Sequence, residues 1–266
     1  MKLPPKEACK DNPLLNLIRE DDKKQYLCPR WGANQKFLTR HRIHTSFDLM
    51  KKYLPDNKEI PIADFACGNG NLGLLFAEEG YKVDFLDNEK NFFDYIKLKA
   101  THGDFNFIHA DSSSHVSEKK YFGIFFGEGI EHMAYPVKTL ANLRENLVTG
   151  GIICLTTPNG DYLKCEEPSW EEVKDNHERN VKLANNWGNH VCEFKMRELK
   201  EIVREAGFVP MEHIVVNSHQ LSRSSFLRRV LPNKILWKLD KYLSREKSKN
   251  GKLYGKTQIL LAQRVH

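Results

Sequence analysis

Between residues 60 and 156 the chain alternates short apolar runs with amphipathic stretches, and that alternation leaves few folds open. Strand-sized runs fall at 60–65, 82–86, 106–110, 122–126 and 152–156. Helical spacing falls at 72–79, 92–100 and 136–147; Gly80 ends the first helix, and Gly150 and Gly151 turn the chain from the third into its strand. Strands that alternate with helices of this length pair in parallel, because each crossover returns the chain to the same edge of the sheet. Two further strands are expected at 208–216 and 257–262. Before them, a helix over 196–206 turns Leu199, Ile202 and Val203 inward and stops at Gly207. The expectation is an α/β fold with a mostly parallel seven-stranded sheet and helices on both faces.

The flanking segments read differently. Residues 1–40 are polar and carry Pro4, Pro5, Pro13 and Pro29, which predicts an irregular arm with one short helix near 14–19. Phe47, Met50 and Leu54 have helical spacing closed by Pro55. The division expected is an arm or partial cap over 1–45 and a main domain over 46–266. Residues 157–190, polar and with Trp170 and Trp187, read as a lid. Residues 221–251 read as an insertion whose stripe of Phe226, Leu227, Val230, Leu231, Ile235, Leu236, Leu239 and Leu243 is broken at Pro232. A cap over a pocket, a dimer face and a surface for an anionic membrane are all open to it. The cap, with a core-facing stripe and solvated lysines, is the expectation.

Composition limits the function classes. Six cysteines at 9, 28, 67, 154, 165 and 192 include no Cys-x-x-Cys pair, which excludes a zinc ribbon or a redox dithiol. No apolar run approaches a membrane span, and the first residues lack a signal-peptide core, so a cytoplasmic protein is expected. The net charge of +6 would suit an anionic substrate, but outside 223–252 the basic residues are mixed with Asp and Glu.

Asp64 ends the first strand, and Ala66, Cys67, Gly68, Asn69 and Gly70 lead into the helix that follows. Glycines there let the backbone turn sharply and approach a ligand. The loop lacks the third glycine and the lysine of phosphate-binding loops. Asp87, at the edge of the second strand, can accept both hydroxyls of a ribose, and Asp111 with Ser112 follows the third strand. An NAD-type dehydrogenase shares the second acid, but Asp64 would repel a pyrophosphate. In order and spacing, residues 58–216 resemble the class I S-adenosylmethionine-dependent methyltransferases, which implies the Rossmann-like fold of that family and S-adenosylmethionine as cofactor. By that likeness Asp64, Gly68 and Gly70 hold the methionine end, with Ala66 standing where a glycine is common. Asp87 then binds the ribose, Asp111 the adenine amine, and Asn88, Ser112 and Arg42 complete the cofactor set, the arginine for the carboxylate. Gly123 stands where an Asp often begins the fourth strand.

The fourth strand ends in Gly127, Glu128, Gly129, Ile130, Glu131 and His132. Three metal-ligating side chains within five positions sit where ligands bind in an open parallel sheet. The short Pro-rich motif of amide N-methyltransferases is absent. The Glu-x-x-Glu-His pattern resembles two groups of O-methyltransferases, the quinone-pathway enzymes and those that methylate the 2′-hydroxyl at RNA 3′ ends. Thr157, Pro158 and Asn159 are shared as well, and His190, three residues before Glu193, stands where the RNA enzymes add a histidine. The resemblance implies a divalent ion, Mn²⁺ or Mg²⁺, on Glu128, Glu131, His132 and His190, which would also be the catalytic residues. Glu-His at this point also occurs in class I enzymes with no known metal. The expected activity is O-methylation of a small polar acceptor, a sugar or sugar-nucleotide first. A catechol in a quinone pathway, or the terminal ribose of an RNA, is the alternative, though no RNA-binding module supports nucleic acid. A cofactor-binding subunit without activity is disfavoured by the retained acids and histidine. His41, His44 and His177 read as surface or hydrogen-bonding residues.

Overall fold

A computed structural model describes residues 1–27, 34–186 and 188–265. Cys28, Pro29 and Trp187 lie outside the described residues. The first half of the chain runs α1 (Pro13–Gln25), α2 (Asn34–Tyr53), β1 (Pro61–Phe65), α3 (Asn71–Glu78), β2 (Lys82–Asp87), α4 (Lys90–Lys99), β3 (Asp104–His109) and β4 (Tyr121–Gly127). The second half runs α5 (Pro136–Glu145), β5 (Leu147–Pro158), α6 (Trp170–Val173), α7 (His177–Ala184), α8 (Met196–Glu205), β6 (Phe208–Ser218), α9 (His219–Arg223), α10 (Ser225–Val230), α11 (Asn233–Arg245) and β7 (Gly255–Arg264).

The sheet has seven strands in the order β3-β2-β1-β4-β5-β7-β6, with β7 antiparallel to β5 and β6. This is the expected α/β architecture. Alternation along the strands divides the core between the two faces. Ile62, Val83, Phe85, Phe125 and Cys154 join Phe47, Met50, Leu72 and Phe76 of α2 and α3. Ala63, Leu86, Ile124, Phe126 and Ile153 join Leu140, Leu143, Leu199 and Val203 of α5 and α8. The strand order reverses between β1 and β4, which opens a crevice at their C-terminal ends.

Several expectations shift. The short helix expected near 14–19 is present and longer, Pro13–Gln25. Pro13 sits in the first turn of α1, where a missing N–H costs nothing, and the Asn12 side chain accepts from the Leu14 and Leu15 amides. The helix read from Phe47 begins at Asn34, because α2 is covered on more than one side and shows no single apolar stripe: Phe37, His41, Ile43, Ser46 and Met50 are all buried. Residue 45, the expected domain boundary, therefore falls inside α2. Gly150 and Gly151 lie within β5, whose register against β4 shifts there, rather than before it. The insertion is helical and broken at Pro232 as read, but its stripe does not all face inward. Leu221 and Leu236 pack on Phe37 of α2 with Leu227, Leu231 and Trp237, while Phe226, Val230 and Ile235 are exposed.

Among the described residues no helix is long and apolar enough to cross a membrane. Cys67 and Cys154 are buried thiols, as expected.

Candidate active site

The loop from β1 to α3 turns through three positive-φ residues, Ala66 (φ 51), Gly68 (φ 47) and Gly70 (φ 64). The two glycines are needed for different reasons. A Cβ on Gly70 would come within 2.7 Å of the Ile96 side chain, so that glycine lets α3 close on α4. A Cβ on Gly68 would meet nothing within 4 Å, so the backbone there faces open space where a ligand can lie against it. Asp64 is buried, and its Oδ2 accepts from the Gly73 amide at 3.0 Å. Burial pushes its carboxyl up to about 8, so a cation beside it would be favoured. Asp87 accepts from the Gly68 amide through Oδ2 and from the Glu89 amide through Oδ1, both at 3.0 Å, and burial raises its carboxyl as well. Asn88 and Asp111 are exposed and Ser112 is buried. Asp111 Oδ1 accepts from the Ser113 amide at 2.8 Å, which fixes the turn after β3. Asp87 holds the Gly68 amide beside this open space, where the resemblance expects S-adenosylmethionine.

The N-terminal helix reaches this loop. Lys99 is fully buried; its Nζ donates to the Asn69 carbonyl at 3.0 Å and to Asn71 Oδ1 at 2.5 Å, and lies 2.8 Å from Asp22 Oδ2. Tyr95 donates to the same Asp22 oxygen at 2.7 Å. Asp22 of α1 therefore anchors the ammonium that holds the loop. Burial lowers the Lys99 pKa, and the Asp22 carboxylate opposes that. No motif announces Asp22 or Lys99.

At the end of β4 the four expected catalytic residues divide. One ligand atom each from Glu131, His132 and His190 all lie within 4.8 Å of one another. Glu131 is buried, and its Oε2 accepts from the Thr157 hydroxyl at 2.9 Å. Burial, then the nearby Glu128 carboxylate, pushes it up to about 8. His132 Nδ1 lies 2.7 Å from the Asn189 carbonyl. A carbonyl only accepts, so Nδ1 carries the proton and Nε2 keeps its lone pair. Burial lowers the His132 pKa. His190 Nδ1 lies 3.6 Å from Glu193 Oε1, and that carboxylate raises the His190 pKa. The Val191 amide donates to the Glu131 carbonyl at 2.7 Å, which fastens the end of the expected lid to this loop.

Glu128 goes elsewhere. Its Oε2 pairs with Arg42 of α2, the arginine expected at the cofactor carboxylate. Both line a cavity of about 260 Å³ with Gln25, Leu38, Thr39, Asn217, Lys256 and Thr257. None of these comes from 221–251, so the insertion supports α2 instead of walling this cavity. The residues of β6 and β7 were not legible beforehand, since strand ends carry no motif. A backbone signal marks them. The positive-φ residues other than glycine among the described residues are Ala66, Glu128 and Asn217, at the ends of β1, β4 and β6. Strain kept at one edge of a sheet points to a site there.

Residues 38–213, about two thirds of the chain, match the family described as a methyltransferase domain. A curated relative, the ubiquinone biosynthesis O-methyltransferase of Rickettsia prowazekii (strain Madrid E), is 25% identical over 136 residues, which is 48% of this chain and 54% of that protein. The chain thus spans about half the length of the curated relative it matches. Among solved structures, the magnesium protoporphyrin IX methyltransferase of Synechocystis PCC 6803 with bound S-adenosylhomocysteine has a TM-score of 0.58 at 13% identity, over 97% of this chain and 99% of that one. The methyltransferase of a Haloferax volcanii complex with the Trm112 methyltransferase activator also has a TM-score of 0.58, at 12% identity, over 98% of this chain and 97% of that one. Such identities speak for the fold alone, which agrees with the cradle around Gly68 and with the matched stretch. The chain belongs to the class I S-adenosylmethionine-dependent methyltransferases.

Proposed function

We propose that the chain methylates a hydroxyl oxygen of a small polar acceptor, with a divalent cation held by Glu131, His132 and His190. The observation that carries this reading is the cluster of those three residues, two from the loop after β4 that also carries Glu128 of the cavity and the third, His190, brought back to them. S-adenosylmethionine supplies a methyl group already activated on a sulfonium, so the weak partner is the hydroxyl, which keeps its proton at neutral pH. The chain must hold that hydroxyl in line and help its proton leave.

The donor set fits a metal. His132 presents Nε2 because Asn189 takes Nδ1, and His190 is turned the same way by Glu193; such partners on the far nitrogen fix a ligating imidazole. Glu131 is a buried carboxylate whose cost of ionisation a cation would offset. With Glu128 engaged by Arg42, two imidazoles and one carboxylate remain, a set that suits Mn²⁺ or another transition ion better than Mg²⁺. A divalent ion bound there supplies Lewis acidity that lowers the pKa of a hydroxyl reaching it.

For the acceptor, a sugar or sugar-nucleotide suits the cavity, whose side chains are polar apart from Leu38. The name of the Rickettsia relative favours a second reading, a catechol ring. Both offer adjacent oxygens; the number of polar side chains along the cavity favours the sugar.

The test is turnover with and without chelator. Excess EDTA should abolish methyl transfer, and Mn²⁺ should restore it. Glu131→Ala and His190→Ala should lose activity while binding S-adenosylhomocysteine as the parent does. Full turnover in chelator, with no metal retained, would remove the cation from the reading and leave His132 as a direct base.

A further inference from the structure

The cavity between α2, β4, β6 and β7 is built with polar atoms that have nothing to bond to. Asn217 is 3% exposed and its backbone is held at φ 67, a conformation Asn tolerates better than most residues. Asp240 fixes that backbone by accepting the Asn217 and Ser218 amides at 2.6 and 2.8 Å. The Asn217 Nδ2 donates to Thr257 Oγ1 at 3.1 Å, which leaves its Oδ1 buried without a partner. Glu128 Oε1 and Arg42 Nε are likewise buried and unpartnered. Two acceptors and one donor thus remain unmatched on residues that line one cavity. Buried polar groups are rarely left so unless a ligand completes them.

The charges are unequal. Arg42 and Glu128 neutralise each other. Among the described residues no carboxylate lies within ion-pair distance of Lys256, whose ammonium is half-buried near the Tyr162 ring. Lys164 adds a second positive charge nearby, which together with burial lowers the Lys256 pKa. The cavity therefore carries one cation too many, and offers hydrogen-bond acceptors for hydroxyl groups.

We propose that this cavity seats a hydroxylated acceptor bearing an anionic group, a carboxylate or a phosphate, with the anion on Lys256 and hydroxyls on Glu128 Oε1 and Asn217 Oδ1. The proposal rests on the reading of the chain as an O-methyltransferase for a polar acceptor and narrows that acceptor to an acid. A neutral sugar would satisfy the two acceptors but leave the ammonium without its counter-charge, half out of water. An acid satisfies both.

The experiment is calorimetric titration of the S-adenosylhomocysteine-loaded protein with three probes: glucuronic acid, glucose 6-phosphate and glucose. At least one acid should bind ten-fold or more tightly than glucose. Lys256→Met should erase that preference, Lys256→Arg should keep most of it, and Asn217→Ala should weaken acids and glucose alike. Unchanged S-adenosylhomocysteine affinity in each variant shows that the fold is intact. Equal affinity for all three probes, no binding of either acid, or a preference that survives Lys256→Met overturns the proposal. Because binding is read without turnover, the two ideas fail separately. A Lys256-dependent preference with no oxygen methylated on any acceptor overturns the O-methyl reading alone. Oxygen methylation with no such preference overturns the anionic acceptor alone.

Discussion

The two halves of the sheet's C-terminal edge are built on opposite principles. On the cofactor side the buried polar groups have partners before any ligand arrives. Asp64 holds the Gly73 amide, Asp87 holds the Gly68 and Glu89 amides, and Lys99 holds the Asn69 carbonyl. On the side proposed for the acceptor, Glu128, Arg42, Thr156 and Asn217 each keep a buried polar atom without a partner. A cradle completed by its own backbone presents one fixed shape, which suits a cofactor that never changes. A pocket with open valences is completed by its ligand, and so holds the information about which acceptor enters. Each half is held by a buried charge: the Lys99–Asp22 pair on the cofactor side, and Asp240, which accepts the Asn217 and Ser218 amides, on the other.

The sharpest way to break the comparison is to remove the charge that anchors the cofactor side. Asp22→Ala leaves the Lys99 ammonium buried and unpaired, which by precedent costs about 3–5 kcal/mol. Urea denaturation should show that loss, and S-adenosylhomocysteine binding should weaken with it, since Lys99 holds the Asn69 carbonyl. A loss under 1 kcal/mol would mean that the helical arm is not part of the cradle.

Acid should test the other half. His213 of β6 is partly buried, its Nε2 2.9 Å from Gln258 Oε1, and desolvation depresses its pKa from 6.5 to about 4. The unfolded chain binds the proton more readily between those values, so stability should fall as pH drops from about 6.5 to 4, by up to about 3 kcal/mol from this group. His213→Gln should flatten that part of the stability–pH curve. An unchanged slope would show that His213 is not the sensor.

Asp87 tests whether the cradle is complete before the cofactor binds. Asp87→Ala removes a carboxylate that holds two amides and that the resemblance assigns to the ribose, so S-adenosylhomocysteine affinity should drop by roughly 1.5–3 kcal/mol. Titration of an acceptor onto the loaded variant should change much less. Equal losses for both ligands would erase the distinction between the halves.

The same contrast explains what could be read from the sequence. Parallel strands buried on both faces appear as continuous apolar runs, so β1, β2, β4 and β5 were visible, while the edge strand β3 showed by its alternation of Phe105 and Phe107 with polar residues; Asp64 and Asp87 mark the ends of β1 and β2. The Glu131 and His132 pair was legible because it is local. The Arg42–Glu128 pair was not, since its partners are far apart in the chain and each had a plausible role of its own. Asn217 and Lys256 were missed because they sit at the ends of strands with no recognisable spacing, and Asn217 owes its conformation to Asp240 in α11. The start of α2 was missed because a helix covered by the sheet, the arm and the insertion has no polar face to set off an apolar one.

The smallest expected effect concerns the insertion, where periodicity was read correctly and orientation was not. A helical stripe says which residues share a face, but not whether a second layer covers that face. In α10 and at its C-cap the residues that pack on α2 and α11 are Leu227 and Leu231, while Phe226 is 71% and Val230 58% exposed. Substituting an exposed side chain away from caps and ion pairs usually changes stability by no more than about 0.5 kcal/mol. Phe226→Ser and Val230→Ser should therefore leave the urea midpoint nearly unchanged, and neither should alter cofactor or acceptor affinity, because neither residue lines the cavity. A loss of 2 kcal/mol or more, the scale of a buried side chain, would mean that these residues are covered in solution. The acceptor half would then have a wall that the isolated chain does not show.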